Sequence, residues 1–373
     1  MRSVILALAL VAVSEDFIAT ANAKLLNVLT PECVPDLSRA LDRLNNRGAY
    51  FRFRTTDDYP TGTTRPPQGL FDGSFMRHIQ GTARLAGTNV LVHSVNGRRG
   101  SHLVAVQMKS QPEFGDWNTN VRCKGDKCAS PKKDSVVSVE HLSSHFSHPG
   151  GIQSFGSIVA VGIDINNNNK AGSEVRFYDY ADPTSPVERR DWRILRTNVR
   201  AEAVAMSQIK RGVHAGKYVV AVGSHQLSHL TFYISNDSDL NASGFRFQEQ
   251  ATWTERGNFD IPNYQGMQLI SECSGQMYLV GTYKSKPLFG LPWGGKDWID
   301  TYKIELSPYA GKAPQIAKFK NKHMTLKKSF FSAGGAVYVE PGTGELKAYA
   351  TDYWPLNPFK RDTAFRFEEF APK

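Results

Sequence analysis

The chain has 373 residues, of which 40% are apolar and 21% charged, the balance of an ordinary globular protein. Its formal net charge is +10, but the basic residues are scattered, the densest groups being Arg98-Arg99, Lys132-Lys133, Arg189-Arg190 and Lys318 to Lys328. No block is long enough to act as a nucleic-acid arm, so a nucleic-acid partner is not expected, and a solvated basic surface is the plain reading.

Residues 1–23 read as a secretory signal. Arg2 precedes an apolar run from Val4 to Val13, and Ala21-Asn22-Ala23 forms an A-x-A cleavage pattern. The run is too short to cross a bilayer, and no later segment approaches that length, so a secreted or periplasmic protein without a membrane span is expected. Cysteine usage agrees with export. Cys123 and Cys128 flank a short turn, while Cys33 and Cys273 are placed to tie the N-terminal segment to a later part of the chain. Four cysteines allow three pairings, and spacing does not choose among them.

Residues 24–48 form a separate N-terminal segment. Leu37, Leu41 and Leu44 recur at helical spacing, with Asp36 as the expected cap and Gly48 as the expected stop. From residue 49 the pattern changes to strands. Ala49 to Arg54 alternates, a Pro/Gly/Thr loop follows, and then a repeated unit begins. Its openings are His78-Ile79-Gln80-Gly81, His148-Pro149-Gly150-Gly151, Ala201-Glu202-Ala203-Val204, Tyr264-Gln265-Gly266-Met267 and Phe331-Ser332-Ala333-Gly334. Each leads to an apolar run, namely Asn89 to Val92, Ile158 to Ile163, Tyr218 to Val222, Met277 to Val280 and Ala336 to Val339. Alternating strands follow each run, and Phe245 to Glu249 matches Phe365 to Glu369 closely.

Repeats of short strands, apolar near an axis and alternating further out, predict an all-β fold. It is read as a single β-propeller over residues 49–373, with five blades and six as the alternative. Ala49 to Arg54 is placed to complete a blade and lock the ring. A pair of β-sandwiches is the other architecture compatible with the strand count. Within the second unit, Val175-Arg176-Phe177-Tyr178-Asp179 followed by Asp182-Pro183-Thr184-Ser185-Pro186 resembles the signature of LVIVD-type β-propeller repeats. The resemblance covers about a dozen residues and implies the fold rather than an activity.

Several stretches are candidates for chemistry. The openings converge on the axis of a propeller, so His78, His148 and Glu202 from three successive units form a candidate site for a divalent metal. Tyr264 and Phe331 stand where further ligands are expected. His141, His145 and His148 make a second histidine group, and Asp164 to Glu174 only faintly resembles a calcium loop. Trp293, Tyr353 and Trp354 lie in Gly/Pro loops, where aromatic rings suit sugars or protein partners. Asn236 and Asn241 begin N-glycosylation sequons. Signatures of zinc proteases, serine hydrolases and nucleotide binding are absent.

Two functions compete on these residues. One is a monomeric secreted binding protein that holds a glycan or a protein partner on Trp293, Tyr353, Trp354 and the propeller face. The other is an exported metal-dependent hydrolase or oxidoreductase with His78, His148 and Glu202 as ligands.

Overall fold

The computed structural model describes residues 32–54, 79–97, 100–108, 135–165, 172–224, 228–254, 264, 266–285, 295–326, 329–351, 356–357 and 362–373. Among these the chain is almost entirely strand. The exception of note is one helix, α1 (Leu37–Arg43), whose cap is Asp36, accepting from the Arg39 N–H at 2.9 Å. The helix ends at Leu44 and not at Gly48, because the Leu44 N–H already closes on Ala40 and Leu41 and the backbone then turns extended. Leu37, Leu41 and Leu44 are fully buried, as their spacing predicts.

The strands form up-and-down antiparallel units. The first is β2 (Ile79–Arg84), β3 (Val90–Gly97), β4 (Gly100–Gln107) and β5 (Ser135–Ser143). The second is β6 (His148–Phe155), β7 (Ile158–Asp164), β8 (Ser173–Asp179) and β10 (Ile194–Arg196), with the two-residue β9 (Val187–Glu188) beside β8. The third is β11 (Ala203–Gln208), β12 (Tyr218–Ser224), β13 (His229–Ser235) and β14 (Phe247–Thr254). The fourth is β15 (Gly266–Ser271), β16 (Met277–Lys284), β17 (Asp297–Glu305) and β18 (Gln315–Met324). The last joins β19 (Phe330–Val339), β20 (Leu346–Thr351) and β22 (Asp362–Phe370), with the short β21 (Leu356–Asn357) on β22. Its outer strand comes from the other end of the chain: β1 (Ala49–Arg54) pairs antiparallel with β22 from Ala49–Glu369 to Arg54–Ala364.

The first strands of the units pack in a closed cycle, β2 on β6, β6 on β11, β11 on β15, β15 on β19 and β19 back on β2. The apolar core is accordingly divided, each cluster filling the space between two neighbouring units. The cluster of Ile79, Leu91, Tyr338 and Phe367 joins the last unit to the first. This cyclic arrangement is a β-propeller, and it sets aside the sandwich alternative. Second strands such as β7 and β12 are buried throughout, whereas the outermost β14 and β18 are largely exposed.

The structure reassigns the fifth opening. In the other units the opening leads into an innermost strand and the apolar run is the second strand. In the last unit Phe331 and the run Ala336 to Val339 belong to one innermost strand, β19. The second strand there is β20, which the sequence pattern places third.

Crowding at the axis explains the glycines at the openings. A Cβ on Gly266 would lie 1.8 Å from the Gly335 carbonyl oxygen, and one on Gly150 would lie 2.3 Å from that of Glu202. First strands of neighbouring units cannot form continuous ladders with one another, so side chains serve their backbone groups. Gln153 Oε1 accepts from the N–H of Met206 and of Leu269, and its Nε2 donates to the Leu269 carbonyl at 3.0 Å. Gln268 Oε1 accepts from the Val337 N–H.

Outside the ring, the exposed edge of β18 carries Lys320 and Lys322. Lys320 donates to the Ser38 carbonyl at 3.2 Å and Lys322 to that of Leu41 at 2.6 Å. Both cations thus reach carbonyls of α1. No helix among the described residues is long and apolar enough to cross a membrane.

Candidate functional site

The first strands all begin at the same end of the axis, and there the second and third units meet the first in a string of polar side chains. β6 and β7 form a hairpin whose register sets His148 opposite Asp164. The register slips between Pro149 and Ile152, where Gly150 and Gly151 bulge. His148 Nδ1 lies 3.1 Å from Asp164 Oδ1, and its Nε2 lies 3.1 Å from the side-chain nitrogen of Gln80. A carboxylate only accepts, so the neutral ring carries its proton on Nδ1, and Nε2 accepts from the Gln80 amide.

Asp164 is fully buried. Its second oxygen takes the Nε–H of Arg200 at 3.1 Å, and Arg200 reaches on to Glu202 Oε1 at 2.8 Å. Arg200 and Glu202 are two apart, so an extended segment turns them to one side. The Glu202 main chain is fixed as well, since its carbonyl accepts from the Gly151 N–H at 3.1 Å. The result is Gln80, His148, Asp164, Arg200 and Glu202 in one hydrogen-bonded line across three units. His148, Arg200 and Glu202 keep 11–14% of their side chains in contact with solvent.

Of the three candidate metal ligands, His78 lies outside the described residues. His148 and Glu202 are brought to one site, as their matching positions predict, but linked through Asp164 and Arg200. No group of three or more His, Cys, Asp or Glu with ligand geometry occurs among the described residues. Tyr264 and Phe331 join the apolar clusters on either side of the fourth unit. The Tyr264 hydroxyl donates to Asp300 Oδ2 at 3.0 Å and meets that of Tyr302 at 2.7 Å. Close by in sequence, Asp297 accepts from the Phe331 N–H, and burial pushes its carboxyl up to about 6.

The other candidates separate. His141 sits in β5, opposite His102, with the two rings 5.1 Å apart edge to face, while His145 packs on Phe146. They form no group with His148. In the stretch read as a faint calcium loop, Asp164 serves His148 and Arg200, and residues 166–171 lie outside the described residues. Trp293, Tyr353 and Trp354 also lie outside them, as do Cys123, Cys128 and residues 1–31. Cys33 and Cys273 form a disulfide. Asn236 is engaged at both side-chain atoms, accepting from the Arg246 N–H and donating to the Gly244 carbonyl.

Sequence reasoning passes over Gln80, Asp164 as a partner of His148, and Arg200. Two signals were available: the hairpin that sets residue 148 against residue 164 across the Gly150-Gly151 bulge, and the alternation of Arg200 with Glu202.

No family model matches the sequence, and no curated protein matches it. Solved structures do resemble the fold. A GH32 beta-fructofuranosidase of Bombyx mori is 10% identical with a TM-score of 0.45, over 88% of this chain and 64% of its own length. The arabinanase of Bacillus subtilis is 11% identical with a TM-score of 0.37, over 78% of this chain and 96% of its own. A sucrose-6-phosphate hydrolase of Lactobacillus gasseri is 11% identical with a TM-score of 0.35, over 82% and 80%. The expectation of a binding protein that performs no chemistry runs against the enzyme names that these similar chains bear. At these identities the likeness concerns the fold, and no substrate passes from those proteins to this one.

Proposed function

We propose that the chain is an exported hydrolytic enzyme on a five-bladed β-propeller, with its site where the first strands begin. His148 is the general base and acid, held in one tautomer by Asp164, and Glu202 is the second proton-transfer group, oriented by Arg200. The observation that carries this reading is the buried Asp164 carboxylate shared between His148 and Arg200. Burying such charges is poor value for stability alone, because desolvation offsets the attraction. Fixing an imidazole and a carboxylate at a solvent-touched end of the axis is useful for proton transfer. The blade count rests on the units described above. Export is supported by the Cys33–Cys273 disulfide, since such bonds persist in oxidising compartments, secreted or periplasmic. The working form is taken as a monomer.

A second reading uses the same residues. His148 and Glu202 open neighbouring first strands, which suits a divalent cation shared with His78. His148 then releases Gln80 or Asp164 to free a ring nitrogen.

The test is turnover on a panel of aryl glycosides, aryl esters and polysaccharides, with metal content measured on the same samples. His148→Gln and Glu202→Gln are each expected to lose at least a hundredfold in kcat while melting within a few degrees of the parent. Full turnover by both variants contradicts the assignment. Stoichiometric metal that leaves with His148→Gln favours the second reading.

A further inference from the structure

The opposite end of the axis is built differently. There the first strands end around a cavity of about 20 Å³, lined by polar and apolar side chains, with room for one water-sized molecule. Thr82 and Gln268 line it, each 1% exposed, and Thr82 Oγ1 and Gln268 Nε2 have no hydrogen-bond partner among the described residues. The orientation of the Gln268 amide is settled by its oxygen, which accepts from the Val337 N–H at 3.1 Å. The nitrogen is therefore the end left over, a donor facing that space. Buried groups of this kind are nearly always paired, with protein or with ordered water.

The N-terminal segment reaches the cavity at Glu32. Glu32 lines it, with Oε1 accepting from the Gly156 N–H at 2.7 Å. Val34 adds itself beside the fourth unit: its N–H donates to the Ser271 carbonyl at 3.1 Å, and its carbonyl accepts from the Cys273 N–H at 2.9 Å. Cys33, between them, is buried and bonded to Cys273, which stands in an exposed turn 240 residues away.

We propose that this cavity is a binding site for one water-sized hydrogen-bonding molecule, that the segment Glu32–Pro35 is its lid, and that the Cys33–Cys273 disulfide latches the lid. The bound molecule accepts from Gln268 Nε2 and pairs with the Thr82 hydroxyl and the Glu32 carboxyl. Burial pushes that carboxyl up to about 7, against the Gly156 N–H and Lys210, so near neutrality Glu32 can either donate to or accept from it. The site is separate from the His148 end and stands or falls without it.

Native-state hydrogen exchange tests the lid. The amides of Met206, Leu269 and Val337 bond to the glutamine side chains that border the cavity, and those of Val161 and Val220 serve as references in second strands. In Cys33→Ser/Cys273→Ser, the first three are expected to exchange at least tenfold faster relative to the references. An unchanged ratio overturns the latch, because a general loss of stability speeds all five alike. Should the double variant fold poorly, the same ratio is read in the parent chain before and after reduction by a water-soluble phosphine. That step breaks the S–S bond, yields two thiols and leaves the phosphine as its oxide, with oxygen and protons from water. A crystal structure resolving solvent is expected to show density within hydrogen-bond distance of Thr82 Oγ1 and Gln268 Nε2; a cavity empty there overturns the site.

Discussion

Two glutamines near the axis offer a comparison whose outcome follows from counting bonds. Gln153→Leu keeps the side-chain size but leaves the N–H of Met206 and of Leu269 and the Leu269 carbonyl without their partner, all at buried residues. Each orphaned buried group costs about 1–3 kcal/mol, so a loss of roughly 4 kcal/mol is expected. Gln268→Leu leaves one buried N–H, that of Val337, without its partner and removes the Nε2 donor at the cavity. Its net cost is expected at about 1.5 kcal/mol, because one group is orphaned in place of three. With an unfolding entropy of about 0.7 kcal/mol/K for a folded unit of this size, the first change lowers Tm by about 6 °C and the second by about 2 °C. Differential scanning calorimetry on the two variants reads both shifts in one buffer. Equal shifts, or a larger one for Gln268→Leu, refute the idea that these side chains serve the edges of the first strands.

Other outcomes follow from single contacts. Removing the Cys33–Cys273 bond frees a loop of 240 residues in the unfolded chain, a loss of about 5 kcal/mol by loop entropy, read as a lower urea midpoint against the oxidised parent. Glu32 is raised from 4.5 to about 7, so the stability linked to its protonated form is full below about 4.5 and lost as pH rises through about 7. Glu32→Gln is therefore expected to gain on the parent between pH 5 and pH 7.5, and parallel urea curves at the two pH values speak against desolvation of the Glu32 carboxyl. His93 acts with the opposite sign: burial lowers it to about 3, so its contribution fades as pH falls from about 6.5 toward 3. Gly266→Ala places a methyl 1.8 Å from the Gly335 oxygen, and loss of soluble, folded protein is the expected result; near-parental melting contradicts the crowding at the axis.

Much of the fold was legible because its signals are local. The spacing of Leu37, Leu41 and Leu44 reports one buried helix face, and runs such as Ile158 to Ile163 report strands covered on both sides. The alternation of Ala49 to Arg54 marked a strand, and its pairing with β22 joins the two ends of the ring. The fifth opening was misplaced for a physical reason. Phe331 to Val339 lies within one strand, its register slipping between Phe330 and Gly335, so the turn that separates opening from apolar run elsewhere is absent. At the candidate site the sequence marked His148 and Glu202 by their equivalent positions. Asp164 and Arg200 escaped it because their meeting depends on how one unit packs on the next across 36 residues. The cavity at the other end was equally out of reach, since Glu32 arrives there from the N-terminal segment and local patterning carries no trace of such a contact.

The most direct measurement is kcat of Asp164→Asn set beside the parent on whichever panel member the parent turns over, with the pH profile of each. Asparagine keeps the shape but can offer its amide N–H to His148 Nδ1, favouring the other tautomer. A drop of about a thousandfold or more, with the acidic limb of the profile moved and the melting temperature within a few degrees, is the result expected if His148 transfers protons. Parental kcat and an unmoved profile would show that the line from Gln80 to Glu202 only holds the blades together.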